Sequence, residues 1–429
     1  MELLPHQKRI STNGIQILKE HQLLYLVMPM RTGKTLTSLS TAYAGGYTSI
    51  LFITLKKAIS SIKKDFKNSG LTDKMKLTVI NYESVHKIQD NFDLVIIDEA
   101  HSLGTFTNQG ACKCSKRMLK VKEICKGLPI IFLSAIPTPQ SFSQLYHQFY
   151  VSDDTPFKYP STRWDKTGFL KWFSEYGKLE YIEINGFKKK VYSNCNADLF
   201  FDKIKHLFLS CTSDDSGLDN NTKFKTLYVP PDIKTIDAVE TMHRNFQCEI
   251  NDYKIIAETP STYSQKLSQL VNGHIIANNG DTLIFSDFKA QYIKSNRNTY
   301  FKGKISVFYK FVADKVLLEK TFNTTNDSVE FNESSDPSLV WIGQYSSSSM
   351  GVDLRTADIL IFFGCDYSSL LNIQAKARLL NFARNKESFV YILNADIKLG
   401  AKQLTVEDKI LNSIAEKQKF YDYWYKKLN

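Results

Sequence analysis

Between Leu23 and Gly46 the chain places the apolar run LLYLV, then MPMRTGKT, then TLTSLSTAYA closed by two glycines. A short all-apolar run reads as a strand buried on both faces. A helical pattern stopped by glycine reads as a complete helix. A strand that feeds a helix through a tight turn is the first half of a β–α–β unit, and such units build parallel sheets.

The same rhythm continues. SILFIT (49–54), KLTVI (76–80), DLVIID (93–98) and IIFLS (130–134) are further buried-strand candidates separated by amphipathic stretches. From 151 to 225 the pattern breaks into aromatics, lysines and short polar runs, and SDDSGLDNNTK (213–223) reads as a linker. Alternation then resumes with KISVFY (304–309), LVWIG (339–343), ILIFFG (359–364) and SFVYIL (388–393), with helical stretches such as ADKVLLEKTF between them. GHIIANNGDTLIF reads as a hairpin around NNGD. The expected fold is α/β, one parallel-sheet architecture used twice. Residues 1–210 are expected to form the first unit, 211–225 the linker, and 226–429 the second unit with a helical C-terminal tail. Within the first, 151–210 reads as a brace or insertion; the alternative is a surface on which bases stack.

The turn MPMRTGKT has a mechanism in that setting. Backbone N–H groups of Met30, Arg31, Thr32 and Gly33, with the helix N-terminus, form an anion cradle. Lys34 then meets the terminal phosphates, and the Thr35 hydroxyl ligates Mg²⁺. The full phosphate-loop pattern has a glycine where this chain has Met28. LVIIDEAH (94–101) supplies the second half, a strand running directly into two carboxylates. Asp98 suits a Mg²⁺ ligand and Glu99 a base that orients and deprotonates the attacking water. Together these predict nucleoside triphosphate hydrolysis.

Composition narrows the setting. No apolar run is long enough to span a bilayer, and MELLPHQKRI lacks the core of a signal peptide, so the cytoplasm is expected. Seven cysteines in 429 residues read as free thiols. Cys112, Cys114 and Cys125 lack a paired spacing and a fourth ligand, so no zinc site is expected. The net charge of +11 points toward a polyanion, although the short lysine clusters read as solvated faces.

With GKT and DEAH in this order the chain resembles the superfamily-2 helicases and translocases, in the Swi/Snf-like (DEAH-box) branch, and particularly the compact helicases of bacteriophages. LLPHQ (3–7) resembles the segment that reads adenine, which implies Gln7 on the base. ILFITLKKAISSIKKDF resembles the segment that touches the nucleic-acid backbone, implying Thr54 and Lys56. LSAIPTP (133–139) resembles the motif that couples hydrolysis to strand movement, implying Ser134, with Ile136 where a threonine is usual. KISVFYKF fits the fourth motif, implying Lys310 and Phe311 on nucleic acid. SSSSMGVDLRTADILIFF fits the fifth, implying Gly351 and Asp353 at ATP. QAKARLLNFAR falls at the sixth.

The resemblance implies two RecA-like lobes with ATP and Mg²⁺ in the cleft between them and DNA across both, gripped mostly by its phosphates. It implies a monomer with no membrane contact, in the host cytoplasm if phage-encoded. His101 and Gln374 take coupling roles, and Arg378 the arginine finger. The family's second arginine position holds Asn381. On a regular helix Asn381 lies about 60° from Arg378 and Arg384 about 120°. Arg384 is therefore a second finger only if the helix ends near Ala383. The expected function is an ATP-dependent DNA helicase or translocase in phage replication, recombination or repair. An RNA helicase or a non-unwinding duplex translocase is the alternative in that class. A nucleic-acid-binding protein with weak ATPase activity is the alternative outside it.

Overall fold

The computed structural model describes residues 2–103, 116–138, 142–157, 166–184, 187–192, 194–212, 215–217, 222–348, 352–379, 387–401 and 403–415. Two compact units divide the chain between residues 218 and 219.

In the first unit, helix α1 (Pro5–His21) begins on a proline, whose fixed φ suits a first helical turn, and precedes β1 (Leu23–Val27). Helix α2 (Lys34–Ala44) follows, then β2 (Ser49–Thr54), α3 (Ile59–Ser69), β3 (Lys76–Asn81), β4 (Leu94–Asp98) and β5 (Ile130–Ser134). A hairpin of β6 (Glu180–Ile184) and β7 (Phe187–Val191) precedes the short β8 (Phe208–Ser210). The six-stranded sheet runs β3-β2-β4-β5-β1-β8, every pair parallel.

Burial explains the uninterrupted apolar runs. Leu23, Tyr25 and Val27 pack into the core on one face of the sheet, while Leu24, Leu26 and Met28 pack into the core on the other. Each fully buried side chain of this size contributes ~1.5–3 kcal/mol, so β1 carries no charged residue.

The aromatic stretch after 151 joins the first of these cores. Phe157, Phe169, Trp172, Phe200 and Phe201 are buried, and Phe157 stacks on Phe200 at 5.5 Å. Rings buried in this way belong to the core of the sheet and are not exposed to bases.

The second unit opens with β9 (Thr222–Val229), so its sheet already takes up the end of the expected linker. Two hairpins follow, β10 (Gln247–Ile250) with β11 (Tyr253–Ile256), and β12 (His274–Ile276) with β13 (Thr282–Ile284), the latter turning through NNGD. The remaining strands are β14 (Ile305–Tyr309), β15 (Thr324–Thr325), β16 (Val340–Gln344), β17 (Ile359–Phe362) and β18 (Ser388–Ala395). They form a second six-stranded parallel sheet in the order β15-β16-β14-β17-β18-β9. Residues 406–415 are helical, and the rest of the expected C-terminal tail lies outside the described residues. No helix among the described residues is long and apolar enough to cross a membrane.

Candidate functional site

In a parallel sheet, ligands gather at the carboxyl ends of the strands. Here the ends of β1, β2, β4 and β5 deliver the phosphate-loop sequence, Thr54, Asp98 and Ser134 to one edge of the first unit.

The loop is built from left-handed residues. Arg31 has φ 64° and Gly33 has φ 87°. Such alternation turns successive N–H groups inward as an anion-binding nest. The left-handed φ of Gly33 favours glycine, and a Cβ there would sit 2.1 Å from Gln7 Nε2 and displace that side chain. Met30 and Thr32 are buried, and the Thr32 hydroxyl donates to Pro29 O at 2.7 Å. Lys34 donates to the carbonyls of Met28 (3.0 Å) and Pro29 (3.2 Å), and Thr35 lies beside it in the first turn of α2.

Gln7 lies against this loop. Its Nε2 donates to Thr32 O at 2.9 Å and its Oε1 accepts from Leu4 N at 3.0 Å. His6 Nε2 meets the same Thr32 carbonyl at 2.9 Å. The expected adenine reader is thus tied to the backbone of the phosphate loop.

The carboxylate turn is equally constrained. Glu99 adopts a left-handed φ of 49°, a conformation that costs energy in a non-glycine residue. Tyr82, which no motif singled out, secures it by donating to Asp98 O at 2.5 Å. Thr54 was expected on nucleic acid. It is fully buried and donates to Asp98 Oδ2 at 2.8 Å, so its hydroxyl belongs to the carboxylate site.

Burial raises the Asp98 carboxyl to about 6; the Glu99 charge adds to this, while Lys34 and the Thr54 hydroxyl oppose it. Burial lowers His101 to about 4, which leaves a neutral imidazole at physiological pH. Its Nδ1 lies 3.3 Å from Glu99 Oε2 and 3.2 Å from Ser134 Oγ. With a neutral ring the Glu99 approach is not an ion pair, and with the proton assigned to Nδ1 the hydrogen bond goes to Ser134 Oγ. Ser134 Oγ also accepts from Ile136 N at 3.1 Å, so the residue replacing the usual threonine is held through its backbone.

The loop and the carboxylate turn fit ATP with Mg²⁺. A nest of N–H groups beside a lysine suits phosphate oxygens. A hydroxyl and a carboxylate are the hard oxygen donors Mg²⁺ takes, and it needs few protein ligands.

Lys56 is exposed just beyond β2. In the second unit, Lys310 and Phe311 line a hollow of about 400 Å³ with Ser261, Ser264, Gln265 and Tyr367. The Lys310 ammonium stands 5.2 Å from the Phe311 ring centre, 5.3 Å from that of Tyr367, and 3.7 Å from Asp366 Oδ2.

Gln374 is buried. The Asp353 side chain caps Arg355 N at 3.2 Å. The regular helix expected through 384 stops at Lys376, so Arg378 lies in the turn after it. There its guanidinium donates to Gln374 O and Val352 O, each at 3.3 Å. Gly351, Asn381 and Arg384 lie outside the described residues, as do Cys112 and Cys114, whereas Cys125 is buried in the core.

No protein-family model and no curated protein matches the sequence. Solved structures do. The Sulfolobus solfataricus SWI2/SNF2 ATPase core in complex with dsDNA is 14% identical over 98% of this chain and 92% of that one, at a TM-score of 0.42. The ATP-dependent Type ISP restriction-modification enzyme LlaBIII bound to DNA is 13% identical over 98% of this chain, at a TM-score of 0.54; the chain spans 30% of that enzyme's length. The likeness to the second is one of fold, and with the two six-stranded parallel sheets it shows an α/β architecture of two RecA-like lobes.

Proposed function

We propose that the chain is a DNA-dependent ATPase that moves along DNA, a translocase or helicase. One observation carries this reading. The first unit gathers a glycine-cradled phosphate loop, Lys34, and the Asp98–Glu99 turn at one sheet edge, with Lys34 close enough to Asp98 to oppose the rise of its pKa.

In this reading Lys34 and the N–H groups of residues 30–33 hold the phosphates. Thr35 and Asp98 hold Mg²⁺, which neutralises phosphate charge when bound. Glu99, fixed by Tyr82 and His101, orients the attacking water and takes its proton. Gln7 keeps a second lone pair and a second N–H beyond its two intramolecular bonds, and that pair suits an adenine edge. Arg378 is assigned the finger on its motif position, with Arg384 held as a second. Asp353 and Gly351 take the ATP side of the fifth motif, and Gln374 couples to it.

Lys56 and the Lys310–Phe311 hollow are assigned to DNA, because a lysine beside two rings suits a backbone phosphate and its nucleotide. The LlaBIII structure named above holds DNA, which favours DNA over RNA. The sequence resemblance assigns the work to phage replication, recombination or repair in the host cytoplasm, by a monomer.

Displacement of a third strand from triplex DNA, run beside unwinding of a fork, tests the reading. ATP-dependent displacement without unwinding is expected of a translocase, and both together of a helicase. A protein that does neither with ATP and Mg²⁺ contradicts the proposal.

A further inference from the structure

The contact between His101 and Ser134 does not end at the serine. Tyr25 occupies the middle of β1, fully buried, with its ring stacked between Phe132 (5.5 Å) and Phe208 (4.6 Å). A phenol in such surroundings needs a hydrogen-bond partner. The Tyr25 hydroxyl donates to Gln148 Oε1 at 2.6 Å, and the Ser134 side chain lies near enough to oppose the rise that burial gives its pKa. Gln148 is fully buried on the short helix Gln144–Phe149 and donates from Nε2 to Pro137 O at 2.7 Å.

The proton positions are mutually fixed. Pro137 O can only accept, which sets the Gln148 amide with its nitrogen toward Pro137 and its oxygen toward Tyr25. Tyr25 must then donate to Gln148, and Ser134 accepts from the neutral His101 ring. Chains of this kind polarise along their length. The segment 134–137 is thereby held at both ends, by Ser134 Oγ to Ile136 N and by Gln148 to Pro137 O.

We propose that Tyr25 and Gln148 are positioning residues of the hydrolytic site, and that the line Ser134–Tyr25–Gln148–Pro137 fixes segment 134–137 and, through His101, the orientation of Glu99. The inference rests on the ATP-hydrolysing reading. Neither residue touches the phosphate loop in any described contact, so the line acts on turnover and leaves nucleotide affinity alone.

Tyr25→Phe keeps the ring and removes the hydroxyl. Gln148→Glu keeps the shape but sets a carboxylate against the Pro137 carbonyl until the carboxyl takes a proton. Burial raises that carboxyl's pKa, so its donor returns as pH falls toward the acid side of neutral. The experiment measures DNA-stimulated kcat, KM for ATP and the stoichiometry of ATP binding for wild type and both variants across pH.

Both variants are expected to lose about tenfold in kcat per bound nucleotide, the scale of one well-placed hydrogen bond, with KM within about twofold. Relative to wild type, Gln148→Glu recovers as pH falls and Tyr25→Phe does not. A merely structural role lowers the number of ATP sites and leaves kcat per site and the pH ratio unchanged. That result overturns the proposal. A wild type that hydrolyses no ATP instead overturns the functional reading on which it rests.

Discussion

Each unit buries a polar network, and the two are built from opposite materials. In the first, Glu99, His101, Ser134, Tyr25 and Gln148 are joined by hydroxyls, an amide and a neutral imidazole, with a single carboxylate at one end. In the second, Lys289 and Glu407 form a fully buried ion pair at 2.7 Å. Lys289 also donates to Asn272 Oδ1, Phe363 O and Leu393 O. Asn272 and His274 both meet Asp314 Oδ1, and Asp314 Oδ2 accepts from the backbone N–H groups of Lys310 and Phe311.

Charges buried this deeply tolerate no loss of a partner. The second network is therefore a lock that sets the backbone beside the proposed DNA hollow. Neutral hydrogen bonds cost less to remake, and the first network sits where a reacting group has to be aimed. Breaking the second should cost stability; breaking the first should cost turnover.

The largest expected effect is at Lys289. Lys289→Ala strands Glu407 and three acceptors and should cost about 3–5 kcal/mol, read as a fall in the urea midpoint of the unfolding step. Pairing Lys289→Met with Glu407→Leu should restore most of it. A single substitution without loss would erase the contrast between the networks.

A smaller effect belongs to Asp98, through pH. Its folded pKa is raised, so its contribution to stability is present at low pH and lost as pH rises through about 6. The His101 value is depressed, so its contribution is present above its ordinary value and lost as pH falls through about 4. Asp98→Asn removes the first term alone. Without nucleotide or metal the variant should be more stable than wild type near pH 8, by about 1–2 kcal/mol, with the advantage fading toward about pH 4. Thermal melts across pH decide the sign.

The smallest effect is at Lys56, which no contact ties to either network. Lys56→Ala should weaken duplex DNA binding several-fold and lower the salt slope by about 1. Stability and ATP turnover at saturating DNA should not change. A loss of turnover there would show that the site reaches beyond the carboxylate network.

The strands were the legible part of the fold, because β1 and β4 are buried on both faces and so carry no charged residue before their ends. Phosphate loop and carboxylates were legible because their chemistry needs neighbouring residues in one order. That Thr54 meets Asp98 was not legible, because sequence order says nothing of register. Only the pairing of β2 with β4 brings its hydroxyl to Asp98. The helix before Arg378 was read as longer than it is, since apolar periodicity continues past the turn that ends it at Lys376. Tyr25 read as one more core residue, and its partner Gln148 lies 123 positions away. Lys289 and Glu407 are 118 apart. Pairs made only by tertiary packing leave no local pattern.

The central claim, that the phosphate loop and the Asp98–Glu99 turn hydrolyse ATP when DNA is bound, is tested most directly by phosphate release from wild type and Lys34→Ala, with and without duplex DNA. The account predicts release that DNA stimulates in wild type and that falls at least about 100-fold in the variant, the scale of losing one preorganised charge-stabilising group. Equal rates in the two proteins would contradict it.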